Sequence, residues 1–322
     1  MNGLAASELV GDLLRFAGGS AESLSDRLAG VSMLAVSIAL LLHLGKLLAR
    51  ARAWHTIVGA AYPEEHVRYR HALGAYVGGI GANAVLPGRP GEALKLVLLK
   101  RKSPGVGYRA LVSTLVVESS FDLFAGIAAV GFGIVSGWTT FGSSLDLLFA
   151  ASARHVWVTV IASATLVALL GAASFALRGR ALAIAAELAK GFAVVRRPRT
   201  YVTGVLAWQF AALGLRLASI YAFLLAFHIP ATLTATLLVV AAQSAANLIP
   251  VTPNGAGPQQ ALLVLVLAPI AAASSVFRFG AGAQLATAVW EVTLALVSLA
   301  IMTGSLRWRG LLAARTELSS SA

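Results

Sequence analysis

The chain has 322 residues, of which 58% are hydrophobic and 12% charged, with a mean hydropathy of +0.82. No soluble domain of this length is so apolar, so the composition describes one polytopic helical membrane domain, with no soluble catalytic domain expected. A net charge of +12 would suggest nucleic acid in a soluble protein, but the positive-inside rule accounts for it here; zero cysteines exclude disulfides, thiolate metal sites and a cysteine nucleophile.

Residues 1–30 mix Glu8, Asp12, Glu22 and Asp26 with Arg15 and Arg27, and Leu4, Leu9, Leu13, Leu14 and Phe16 suit an amphipathic helix on the membrane face. No basic segment precedes the first long apolar run, so a cleavable secretory signal is not expected. The first span is expected at 31–49, with His43, Lys46, Arg50, Arg52 and Trp54 at its interface and a cytoplasmic stretch over 50–70. Acidic flank before and basic flank after put the N-terminus outside.

A broken hairpin is expected over 70–102. Its break, Asn83 to Glu92, holds Pro87, Gly88, Pro90 and Gly91, which cannot continue a helix. Pro90 suits the first position of a new helix, whose free N–H groups would face a cavity beside Arg89. A long span over 108–137 carries Glu118 and Asp122, four apart and so on one face. An outer loop follows at 138–154 and a linking span at 155–177. The loop 178–200 is the most basic in the chain and suits anionic lipid headgroups, and its middle, 181–195, reads as an amphipathic surface helix.

The next span, 201–227, holds Arg216 near its centre. After an outer turn at His228–Pro230 comes a second broken hairpin, with Asn247 before its break and Pro253, Gly255, Gly257 and Pro258 in it, its second arm running to about Ala273. A last span over 279–303 carries Glu291, and a polar cytoplasmic tail follows from residue 306. All Lys and Arg then fall on the cytoplasmic side except Arg15, Arg27, Arg154 and Arg278 outside and Arg216 in mid-membrane.

Each break follows an Asn and contains Pro-x-x-x-Gly (Pro87 to Gly91, Pro253 to Gly257), and each precedes a span with an intramembrane acid. The first hairpin enters from the cytoplasm and the second from outside. The expected fold is therefore all-α, an inverted repeat of span–re-entrant hairpin–span units (31–137 and 201–303) joined by a linking span.

The run Asn83, Leu86-Pro87-Gly88-Arg89, Gly91-Glu92, then Glu118 and Asp122, then Ile249-Pro250, Thr252-Pro253, Gly255 and Gly257 resembles the membrane region of lysylphosphatidylglycerol synthases and related flippase-like proteins. The resemblance covers residues 31–305 and implies a helical protein that moves a lipid or lipid-linked headgroup between leaflets. The chain departs from the family pattern in several places. An amphipathic segment stands where the family has a further N-terminal span. Lys95 and Ser119 stand where arginine is usual, Asn254 replaces glycine, Gln260 replaces an acid, and Glu291 stands where arginine is frequent.

The function expected is translocation of an anionic phospholipid or lipid-linked headgroup, not catalysis. The alternatives are a secondary transporter of a small anionic solute and a non-catalytic subunit of a lipid-modifying system. Expected partners are a phospholipid or polyprenyl-linked lipid and anionic membrane lipids, with no nucleic acid, cofactor or metal, and with a homo-oligomer left open. The expected location is the cytoplasmic membrane, with the C-terminus inside. Candidate substrate contacts are Arg89, Gly91, Glu92, Lys95, Asn83, Asn247, Gly255, Gly257 and Arg216. Arg89 suits a phosphate by its planar fork. Lys95 reads as a weaker contact or a snorkelling residue. Asn83 and Asn247 suit the freed backbone groups at the breaks. Arg216 is expected to pair with an acid such as Glu291 or to meet a phosphate. Glu118, Asp122 and Glu291 are coupling acids or structural ones, the first two with Arg89, Lys95 or hairpin N–H groups as partners.

Overall fold

A computed structural model describes residues 30–88, 90–135, 189–246 and 255–303. The described residues form helices and no strands. Four helices are long and apolar enough to cross a membrane: Met33–Ala61, Tyr108–Ala129, Pro198–Ala226 and Ala273–Met302. In chain order the elements are α1 (Met33–Ala61), α2 (Tyr69–Val85), α3 (Gly91–Lys102), α4 (Tyr108–Val135), α5 (Pro198–Ala226), α6 (Leu233–Ala246), α7 (Pro258–Leu267) and α8 (Ala273–Thr303). The N-terminal amphipathic segment, the outer loop 138–154, the linking span 155–177 and the tail lie outside the described residues.

α1 begins where the Ser32 hydroxyl accepts from the Ala35 N–H and ends at Tyr62, just before Pro63. The helix thus runs well past the expected boundary at residue 49, and half of the expected cytoplasmic stretch is helical. Residues 50–61 are alanine-rich and present Trp54, Ile57 and Val58 to the core, so nothing in them stops a helix. Trp54, expected at the interface, is fully buried, with its indole N–H donating to Thr114 Oγ1 at 3.1 Å.

α1 and α5 run antiparallel along their length. Ser32 N donates to Ala226 O at one end, Ser219 Oγ donates to Ala39 O at 2.8 Å, Leu215 packs on Gly45, and Thr56 meets Gly204 toward the other end. α5 starts at Pro198 and contains a π-helical segment, Val202–Leu206.

The first break separates α2 from α3 as the Pro/Gly cluster predicts, with Gly88 at φ +79°. The α2–α3 contact is backbone on backbone, since a Cβ on Gly91 would lie 1.9 Å from the Gly79 carbonyl oxygen. The second break lies between α6 and α7. α7 ends at Leu267, earlier than expected, because Pro269 follows and the Leu267 carbonyl accepts from Ile270 and Ala271 instead. α8 then starts at Ala273, six residues before the expected span, and takes in Arg278. In the described part of the expected surface helix 181–195, helix gives way to turn after Gly191. Val194 there is buried and Gly191 presses on Ser113, so this stretch is tucked under α4 instead of lying on the surface.

Packing is reciprocal. α8 lies along α2, and α4 lies along α6. One apolar core gathers the start of α1, the end of α5, α6, α7 and the start of α8; another gathers the later part of α1, α2, α3 and the start of α4. The outer faces are also apolar. Leu34, Leu41 and Leu48 form a stripe along α1, with Leu34 73% exposed, and Val116, Leu123, Phe124 and Ile127 continue it on α4. Such surface suits lipid and would aggregate in water.

Candidate functional site

Ionisable side chains meet near the middle of all four long helices. On α1, His43, Lys46 and Arg50 follow at i, i+3 and i+7, which places them on one face. Ionisable groups at this depth are expensive unless paired or hydrated.

They fall into two clusters. In the first, Arg50 holds Asp122 through both terminal nitrogens, Nη1 to Oδ1 at 2.8 Å and Nη2 to Oδ2, and Nη2 also reaches Glu118 Oε1 at 3.3 Å. Glu118 Oε2 accepts from Lys95 Nζ at 2.5 Å. Lys95 is 3% exposed, and its ammonium lies 4.4 Å from the Trp54 ring centre and 4.3 Å from that of Tyr76. It is therefore enclosed, and the snorkelling expectation does not hold. Glu118 is also buried, whereas Glu92, at the exposed start of α3, stands 3.7 Å from Lys95. The first cluster thereby joins α1, α3 and α4.

In the second cluster, His43 Nε2 lies 2.9 Å from Glu291 Oε1, joining α1 to α8. Lys46 Nζ lies 3.3 Å from the His43 ring nitrogens. An ammonium only donates, so His43 Nδ1 accepts from Lys46 while Nε2–H donates to Glu291, and the ring is neutral. Arg216 on α5 donates to Gln243 Oε1 on α6 at 2.9 Å. The expected Arg216–Glu291 pair is thus replaced by Arg216–Gln243 and His43–Glu291, because α1 stands between α5 and α8 and offers the nearer base. His43 and Lys46, expected at the interface, belong to the mid-span belt, and so does Arg50.

Each break is closed by a side-chain amide. Asn83 Oδ1 accepts from Gly91 N at 2.7 Å, as its proximity to the break suggests. Gln260 Oε1 accepts from Gly257 N at 2.6 Å, and Gln260 Nε2 donates to Gln284 on α8. Gly255 and Gly257 have φ of +75° and +93°, values that favour glycine. The N–H groups of Gly91 and Gly257 are therefore engaged within the chain. Arg89 and Asn247 lie outside the described residues.

Sequence reasoning missed Arg50, His43, Lys46 and Gln243 as members of this constellation. The signal for the α1 residues was present: they occupy the face opposite the Leu34, Leu41 and Leu48 stripe. Nothing local singles out Gln243. Among the described residues no group of three His, Asp or Glu side chains has an arrangement that could hold a metal ion.

Comparison with curated proteins finds no match, and neither does comparison with solved structures. The model of one family, described as the lysylphosphatidylglycerol synthase TM region, matches residues 3–279. That match spans most of the chain, including both breaks and both charge clusters except Glu291, and this integral membrane protein belongs to the lysylphosphatidylglycerol synthase TM-region family.

Proposed function

We propose that the protein translocates a lipid with an anionic headgroup between membrane leaflets, as a transporter and not as an enzyme. The observation that carries this reading is the belt of ionisable side chains at mid-span, contributed by α1, α3, α4, α5 and α8. A protein serving only as an anchor would gain nothing from groups so costly in lipid. A headgroup crossing the bilayer needs such a hydrated, charged way-station.

The inverted repeat supports the same reading. α6 and α7, of 14 and 10 residues, reach about 21 and 15 Å, short of the roughly 30 Å hydrocarbon core. α3, of 12 residues, is similarly short. Helices of these lengths suit re-entrant arms meeting inside the membrane. The exchange of partners, α8 on α2 and α4 on α6, is what two-fold related halves produce. In this reading residues 31–305 form the translocating domain, in the cytoplasmic membrane, with the N-terminus outside and the C-terminus inside. Arg89, beside Pro90, contributes a headgroup contact.

The test is reconstitution of the full chain in liposomes containing chain-labelled fluorescent phosphatidylglycerol, with an impermeant quencher outside. The expected result is quenching of inner-leaflet label only in vesicles containing protein. Arg89→Ala should strongly reduce it, with partial recovery in Arg89→Lys, which keeps the charge but loses the planar fork. Equal protection of the label with and without protein overturns the reading.

A further inference from the structure

We propose that the second charge cluster binds a phosphodiester monoanion through Lys46 and Arg216, and that it disfavours an aminoacylated headgroup. This rests on the translocation reading and names the site and charge class that reading leaves open. The two clusters differ in balance. Arg50 and Lys95 face Glu118 and Asp122, two cations against two carboxylates, so the first cluster is complete. Lys46 and Arg216 have one carboxylate between them, Glu291, and it is taken by the His43 N–H.

The remaining contacts of the two cations are neutral. Lys46 meets the His43 ring and Arg216 meets the Gln243 carbonyl. Both cations act electrostatically on His43, so they share one neighbourhood. With His43 neutral, this cluster carries one positive charge without a counter-charge among the described residues. An uncompensated cation at mid-membrane is a standing demand for an anion. A phosphodiester supplies one negative charge and two free oxygens, which suit an ammonium and a guanidinium edge together. A lysyl ester on the same headgroup adds two amines and makes the whole headgroup positive. Glu118, Asp122 and Glu291 are already engaged, so those amines find no free carboxylate in either cluster.

The experiment measures binding by native mass spectrometry and thermal shift on the full chain in detergent. The probes are phosphatidylglycerol, its lysyl ester and inorganic phosphate. Phosphatidylglycerol should bind about tenfold or more tightly than the lysyl ester, and Lys46→Met and Arg216→Gln should each weaken it by about tenfold, the loss of one charge-assisted contact. Gln243→Glu is the decisive variant. It places the missing negative charge beside Arg216, so the melting temperature should hold or rise while phosphatidylglycerol binding falls.

Equal or tighter binding of the lysyl ester overturns the proposal, as does undiminished phosphatidylglycerol binding in a folded Gln243→Glu protein. Saturation by inorganic phosphate at the same concentration would assign the site to a soluble anion and overturn its lipid part. The expected binding pattern in a protein that moves no labelled lipid would sink the translocation reading and leave the site. Translocation without the headgroup preference would sink the site alone.

Discussion

The two helix–break–helix units face the same backbone problem and differ in the chemistry around it. In both, the glycine N–H that opens the second arm is accepted by a side-chain amide, Asn83 in the first unit and Gln260 in the second. Beyond that amide they diverge. The first unit is tied to its neighbours by charge, through Lys95, Glu118 and Arg50. The second is tied by neutral amides, Gln260 to Gln284. A buried amide pair is modest in both gain and loss, whereas a buried ion network is severe when broken. The first unit is therefore the brittle one, and the second can tolerate rearrangement.

The largest expected effect is at Glu118. Glu118→Ala leaves Lys95 and Arg50 buried with less negative charge, and should cost about 3–5 kcal/mol in thermal or denaturant unfolding in detergent. A loss as small as that of the second unit's amide would erase the distinction between the units.

Next come the paired amide variants. Asn83→Ala and Gln260→Ala each remove the acceptor from a glycine N–H and should each cost about 1–3 kcal/mol, by the same measurement. Similar losses would sharpen the comparison by showing that the closure is common and only the charge differs. A null effect at either position would break it.

The two reciprocal interfaces offer a further contrast. A Cβ on Gly81 would lie 2.2 Å from the Ala295 Cβ, inside the α2–α8 contact. A Cβ on Gly126 would lie 3.3 Å from Ser244, inside the α4–α6 contact. Gly81→Ala should cost about 1–3 kcal/mol through overpacking, while Gly126→Ala should fall within about 0.5 kcal/mol of the parent. The smallest effect belongs to Trp54→Phe, which keeps the ring under Lys95 but drops the bond to Thr114, an expected loss of about 1 kcal/mol.

The parts of the fold written in the sequence are those with local causes. Pro87, Gly88, Pro90 and Gly91 mark the first break wherever the rest of the chain goes, and α2 and α3 end within a residue or two of it. The shared face of Glu118 and Asp122 follows from their spacing alone. Their main partner does not. Arg50 follows an apolar run, and a basic residue there ordinarily signals a membrane boundary. It sits inside instead because its counter-charges arrive from 68 and 72 residues away. Glu291 and His43 are 248 residues apart, and no window of sequence contains both. The ends of α7 and α8 were misjudged for a smaller reason: a proline after an apolar run can end a helix early, and Pro269 does.

Tyr62 is a small feature with a mechanical consequence. Its hydroxyl donates to Gly107 O at 2.7 Å and accepts from Gly107 N at 2.8 Å, so a single phenol rivets the end of α1 to the start of α4. The opposite end of α1 is pinned to α5, where Ser32 N meets Ala226 O and the His228 ring meets Gly30 O. A beam fastened at both ends, to different supports, cannot swing. α1, α4 and α5 act as a chassis, and any cycle of motion falls to the two hairpins and to α8, which moves against a glycine-faced rail on α2.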